Sequence, residues 1–211
     1  MAKAKNILNL VVVLFLLIGL PATSYYYLST GYSYRKEAIQ TQGDFGTMPD
    51  LTNLPAVRGK LPTTARGSMT VVGWLDPTKP ATARQYGLML DSLFKQFQDS
   101  PNLYFTTLVN ADDPAAAAND FAATHHLPQD DMLSFLAADS RSFQQAAKDF
   151  QLPVSIPGEQ PVVALVDSSL TIVKHYDLQH RDETIGLVQL ISLIIPLPEK
   201  PDLILKRGKE L

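Results

Sequence analysis

The chain predicts an α/β fold behind a membrane-crossing helix, on three observations. An apolar run of strand length, Met69 to Leu75, is followed after a short turn by Tyr86, Leu90, Leu93 and Phe97 at the spacing of one helix face. The same alternation of strand and helix recurs twice, and two β-branched runs joined by Asp167-Ser168-Ser169 then form a hairpin. Ahead of all this, Ile7 to Leu20 is apolar apart from Asn9 and Gly19.

At 211 residues, 45% apolar and 18% charged, the chain is large enough to bury one ordinary core beside terminal appendages. A net charge of −3 with no Lys/Arg cluster in the folded part argues against a nucleic-acid surface, which needs basic groups to release counterions from phosphates. The absence of cysteine removes disulfides, thiolate metal sites and thiol catalysis from consideration.

From Ile7 to Leu28 a helix rises roughly 33 Å, enough for a hydrocarbon core of ~30 Å. Tyr25, Tyr26 and Tyr27 at its far end fit an interfacial aromatic belt, and Lys3 and Lys5 ahead of it favour an N-inside orientation. Residues 1–30 are therefore expected to be a retained anchor in the lipid bilayer, with the rest exported. The competing expectation is a signal peptide cleaved near Ala22-Thr23-Ser24.

Residues 31–66, punctuated by six glycines and prolines from Gly43 to Pro62, predict a tether and loop-rich lead-in, with Met48 to Leu54 as a short edge strand. The main domain is expected over residues 67–196. Its second strand falls at Asn102 to Val109, and Asp112-Asp113-Pro114 opens a helix running to about His125, since acidic residues and proline suit a first turn. A third strand, Met132 to Ala137, precedes a helix over Ser140 to Phe150, capped by Asp139 or Ser140 and stopped by Pro153. The hairpin spans Pro161 to Val166 and Leu170 to Tyr176. Asp182 is expected to cap a last helix, Glu183 to Ile195, whose apolar arc exceeds what one sheet face needs to cover. Residues 197–211 form a proline-punctuated tail.

This order of elements resembles a thioredoxin-like domain, a central mixed sheet flanked by helices. More specifically it is similar to the membrane-anchored Sco/SenC family of cytochrome oxidase assembly proteins. The resemblance runs from about Gly46 to Ile195 and is carried by Met48-Pro49-Asp50-Leu51, Gly67 to Pro77, Ser134 to Phe150 and Pro161 to Tyr176. That family binds copper through a Cys-x-x-x-Cys loop after the first core strand and a histidine before the hairpin. Here the loop position falls at Asp76 to Pro80 and the histidine position near Glu159, which supply no soft ligand for copper(I). By the resemblance Pro161 occupies the place of the fold's cis-proline, and a cis bond is expected there.

Residues with chemical potential remain. His125 and His126, neighbours on a helix, point about 100° apart and suit a solvated helix end better than a metal. His175 and His180 flank the hairpin's end and are assigned surface roles. Asp112-Asp113, Asp130-Asp131 and Asp182-Glu183 lie at helix starts or loops, where capping is the simpler role. Trp74 is expected to pack in the core. No serine has a nucleophile elbow around it. No catalytic, cofactor or metal residue is therefore assigned.

The expected function is a non-enzymatic accessory, assembly or structural subunit of a respiratory oxidase, with membrane-complex subunits as partners. Its expected place is the bacterial inner membrane, with one span and the folded domain in the periplasm. The alternative is a copper-binding or redox assembly factor using Met69, Met89, His125 or His175.

Overall fold

The computed structural model describes residues 12–29, 42–62, 65–100 and 102–195, which fall into two compact units divided after Gln42. In the first, Val12–Ser29 is helical, with a π-helical stretch at Phe15–Gly19. The Thr23 hydroxyl donates to the Gly19 carbonyl at the end of that stretch. Its 18 residues have a mean hydropathy of 1.6. By length and composition this helix fits a membrane anchor or a signal sequence. Residues 1–11 of the expected span, the 30–41 tether and the 196–211 tail lie outside the described residues.

The second unit is built on a six-stranded mixed sheet. Its strands are β1 (Ala56–Arg58), β2 (Met69–Leu75), β3 (Leu103–Val109), β4 (Leu133–Ala137), β5 (Val162–Val166) and β6 (Ile172–Asp177). They lie in the order β1-β4-β3-β2-β5-β6. β2, β3 and β4 run parallel, because the helices α1 (Pro80–Phe97) and α2 (Pro114–Thr124) cross between them. β5 is added antiparallel beside β2, and β6 pairs antiparallel with β5 as its hairpin partner. The helices α3 (Ser140–Asp149) and α4 (Arg181–Ile194) complete the order.

Every residue of β2 is buried, as befits a central strand covered on both faces. On one face Val72, Trp74, Leu108, Leu136, Ala164 and Val166 pack with Phe143, Ala146, Ala147 and Phe150. Trp74 meets Phe150 edge to face, with ring centroids 5.3 Å apart, so it is a core side chain. On the other face α1 seats Tyr86, whose hydroxyl lies 2.7 Å from Thr107 Oγ1 and whose ring stacks on Phe121. Gly73 permits this seating, since a Cβ there would stand 2.3 Å from the Tyr86 oxygen.

Several local expectations are corrected. Met48 to Leu54 forms no strand; the edge strand is β1, paired antiparallel with β4, and only Thr47 makes a bridge, to Thr171. Pro49 and the Asp50 side-chain bonds to Thr52 explain the loop, for they draw the backbone into a turn. Gly43 to Met48 lines the outer edge of the hairpin through Gly43 N–H to Val173 O, Phe45 N–H to Ile172 O and Met48 N–H to Leu170 O. α4 is capped at His180, not Asp182, and Glu183 closes the turn by accepting from the Asp177 amide.

Candidate functional site

The site position is the turn after β2, where the chain leaves the sheet at Leu75 and enters α1 at Pro80. Asp76 organises it as an Asx turn. Its Oδ1 accepts from the Thr78 amide at 2.9 Å and the Thr78 hydroxyl at 2.6 Å, while the Lys79 amide donates to Asp76 O at 3.0 Å. Pro80 at the first helical position needs no amide partner, which is why the helix starts there without a side-chain cap.

The loop before β5 closes over this turn. Gly158 adopts φ +84°, and a Cβ on it would lie 2.8 Å from Asp76 Cβ, so backbone and side chain meet with no room between them. Lys79 Nζ stands 3.3 Å from Glu159 Oε1, and the Thr82 hydroxyl donates to Glu159 O at 2.9 Å. Asp76 and Glu159, the two positions that the Sco/SenC resemblance marks, are thus brought to one place from 83 residues apart. What fills that place is an Asx turn and an ion pair. With no cysteine in the chain, it holds no group for thiol exchange, and among the described residues no three His, Asp or Glu side chains converge as ligands.

Pro161 is buried and its carbonyl accepts from the Leu178 amide at 3.0 Å. No described peptide bond is cis, so the expected cis bond at Pro161 is absent. The Val162 amide donates to Gln160 O, holding the chain tightly as it enters β5.

The histidines are placed differently from the expectation. His125, at the C-cap of α2, is only 8% exposed rather than solvated. Its ring lies against Phe121, centroids 4.8 Å apart, and against Gly87, where any Cβ would strike it. Desolvation lowers its pKa, Arg84 and His126 add to the effect, and Asp91 opposes it. His175 is half-buried rather than on the surface; its Nε2 pairs with Phe150 O at 2.7 Å and its ring meets Phe45 edge to face. Burial lowers its pKa, against the bond to Phe150. His126 is exposed with φ 56°, and exposed His180 lies 3.7 Å from Asp177 Oδ2.

Met69 starts β2, at the opposite end from Asp76, while Met89 lies on α1, His125 ends α2 and His175 lies on β6. These four do not form one ligand set. Of the paired carboxylates, Asp113 caps α2 by accepting from Ala116 N–H, and Asp130 accepts from Met132 N–H. Asp182 stands in the first turn of α4. The Lys79–Glu159 pair and the Gly158 contact were not foreseen; only the Asp-Pro-Thr order of the Asx turn carried a local signal.

Comparison with solved structures bears on the fold. A putative protein disulfide isomerase from Bacteroides thetaiotaomicron matches at TM-score 0.55 and 14% identity, over 72% of this chain and 90% of that one. The fold is thioredoxin-like. A putative thiol:disulfide interchange protein DsbE from Chlorobium tepidum matches this thioredoxin-like domain at TM-score 0.50 and 12% identity, over 72% and 98% of the two chains. A SCO1/SenC family lipoprotein from Bacillus anthracis str. Ames matches at TM-score 0.50 and 16% identity, over 61% and 83%. At such identities the likeness describes the fold alone. No protein-family model matches the chain, and no curated protein matches it.

Proposed function

We propose that the chain is a membrane-anchored, non-catalytic thioredoxin-like protein serving as an accessory, assembly or structural subunit of a respiratory oxidase of the cytochrome c type. One observation carries the non-catalytic reading: the turn after β2 is occupied by the Asp76–Thr78 Asx turn and closed by Lys79 and Glu159. The order of elements, similar to that of Sco/SenC proteins, supports the respiratory setting, and the apolar Val12–Ser29 helix supports a place at the membrane. The orientation that follows has the N-terminus inside and the domain in the periplasm. A fold kept after its reactive groups are gone is useful as a binding surface.

The test is affinity purification of the full chain in mild detergent, with mass spectrometry of partners and metal analysis of the same sample. Oxidase subunits or oxidase chaperones with no copper on this chain are the expected result. Stoichiometric copper without a stable partner overturns the reading and favours a copper carrier instead.

A further inference from the structure

Between α1 and α2 runs an open groove of about 720 Å³. Buried Leu75 and Phe121 form its base, and Ala83, exposed Leu88 and Ala117 continue the apolar lining. Two polar groups open into it without protein partners. His125 is more than nine-tenths buried, yet its ring nitrogens have no hydrogen-bond partner among the described residues and neither is sealed from solvent. A Cβ on Gly87 would stand about equally close to the ring's Cγ, Cδ2 and Nε2, so the imidazole lies flat on α1 with its nitrogens turned sideways. Arg84 lines the same groove, exposed and in no ion pair among the described residues.

Arg84 stands near enough to His125 to lower its pKa, so the guanidinium and the imidazole share one neighbourhood. Two such groups without an acceptor suit an anion, and a carboxylate fits a guanidinium best. The apolar walls require that this anion carry a hydrocarbon body. Asp120, exposed on the α2 wall, disfavours a second negative charge. A peptide would find few partners for its amides, because both walls are helices whose backbone groups bond internally. An acyl chain has no amides to satisfy.

We propose that this groove binds a free fatty acid, its carboxylate held by Arg84 and His125 and its chain laid along Leu75, Ala83, Leu88 and Phe121. The bound carboxylate adds a negative neighbour to His125, beside Asp91, whose Oδ1 is buried without a partner among the described residues. The imidazolium is thereby favoured over the neutral ring that burial, Arg84 and His126 otherwise maintain. Binding therefore takes up a proton and tightens as the pH falls. Neither Arg84 nor His125 belongs to the Asp76 turn, and occupancy of the groove does not depend on the function proposed above.

The probe pair is octanoate and 1-octanol, titrated into the full chain in nanodiscs with ¹³C-labelled histidine. His125 lines the groove, while His175 and His180 do not and serve as internal controls. The expected result is a saturable shift of His125 with octanoate, tighter at pH 6 than at pH 8, and weaker binding of octanol at both. Arg84→Gln weakens octanoate about fivefold, the upper worth of an exposed ion pair, and leaves octanol unchanged. His125→Phe keeps the ring packing and removes the pH dependence, read from the Leu88 methyls. Leu88→Glu, a change at an exposed helix position, abolishes octanoate binding and remains decisive if His125→Phe does not fold. Octanol binding as tightly as octanoate reduces the groove to an unselective apolar surface and overturns the proposal. So do octanoate binding that is indifferent to pH, a shift that survives Leu88→Glu, and the absence of any His125 shift. A His125 resonance that moves with protein concentration before octanoate is added assigns the groove to a second copy of the chain instead.

Discussion

Lys79 Nζ and Glu159 Oε1 lie 3.3 Å apart across 80 residues of sequence, joining the turn after β2 to the loop before β5. Their side chains are 44% and 45% exposed, so solvent screens the pair and it contributes little to stability. Lys79→Ala is expected to lower stability by less than ~1 kcal/mol in urea unfolding of the full chain in mild detergent. That loss shrinks at high salt. Asp76→Ala removes both Thr78 bonds and costs more, about 1–2 kcal/mol, with no salt dependence. Equal losses from the two variants contradict the assignment of the turn's rigidity to Asp76.

Gly158 should be less replaceable than Gly67. Both adopt positive φ, +84° and +89°, but nothing lies within 4 Å of a Cβ at Gly67, whereas one at Gly158 meets Asp76. Gly67→Ala costs the backbone strain alone, about 1 kcal/mol. Gly158→Ala adds a steric displacement for a total of about 2–3 kcal/mol. The same unfolding measurement ranks them.

Gly73 and Tyr86 form the corresponding constraint beneath α1. Gly73→Ala places a methyl 2.3 Å from the Tyr86 hydroxyl oxygen, and overpacking of this kind costs about 1–3 kcal/mol. Tyr86→Phe opens some of that room but leaves the buried Thr107 hydroxyl unpaired, at about 1 kcal/mol. In the double variant the two losses are expected to sum to slightly less than their separate values, because loss of the oxygen removes its share of the clash while Cζ and Cε2 still meet the added methyl at 2.5 and 2.6 Å. Strict additivity contradicts the contact.

His125 and His175 predict a loss of stability in mild acid. Burial depresses both folded-state pKa values below the unfolded value of about 6.5, so the unfolded chain binds more protons below that pH. Stability is full above pH ~6.5 and falls as the pH drops through the unfolded pKa toward the folded ones. His175→Gln and His125→Gln each flatten that limb. Asp50 and Asp139, whose pKa values are lowered by Thr52 and Ser142 respectively, act in a separate window below pH ~4. Unfolding free energy measured from pH 8 to 4 for wild type and the two variants separates these windows.

Periodicity and turn chemistry made most of the sheet legible, because β2, α1 and α3 each bury the residues that their spacing picks out, such as Tyr86, Leu90 and Phe143. The edge strand was misplaced because a three-residue strand, Ala56–Arg58, carries no alternation long enough to register, while Met48 and Leu51 are apolar for a different reason, packing over the sheet from a loop. The end of a helix predicts a solvated His125, because helix ends usually are exposed. Its burial depends on Gly87, 38 residues away, leaving room for an imidazole. The Lys79–Glu159 closure is likewise a product of long-range contact, for which a single sequence has no periodic signature. On α4, Leu187, Leu190 and Ile191 are buried while Ile185 remains 42% exposed, so part of the wide apolar arc is consumed by the sheet.

The central claim, a respiratory role without chemistry at the turn, is tested most directly by complementation. Oxidase activity is measured in membranes of the source cell lacking this chain, then after return of the wild-type chain or the Asp76→Asn, Lys79→Ala, Glu159→Gln triple variant. The account predicts reduced oxidase activity in the deletion and full restoration by both chains. Unchanged oxidase activity in the deletion contradicts the respiratory role, and a triple variant that accumulates normally yet restores nothing contradicts the chemically silent turn.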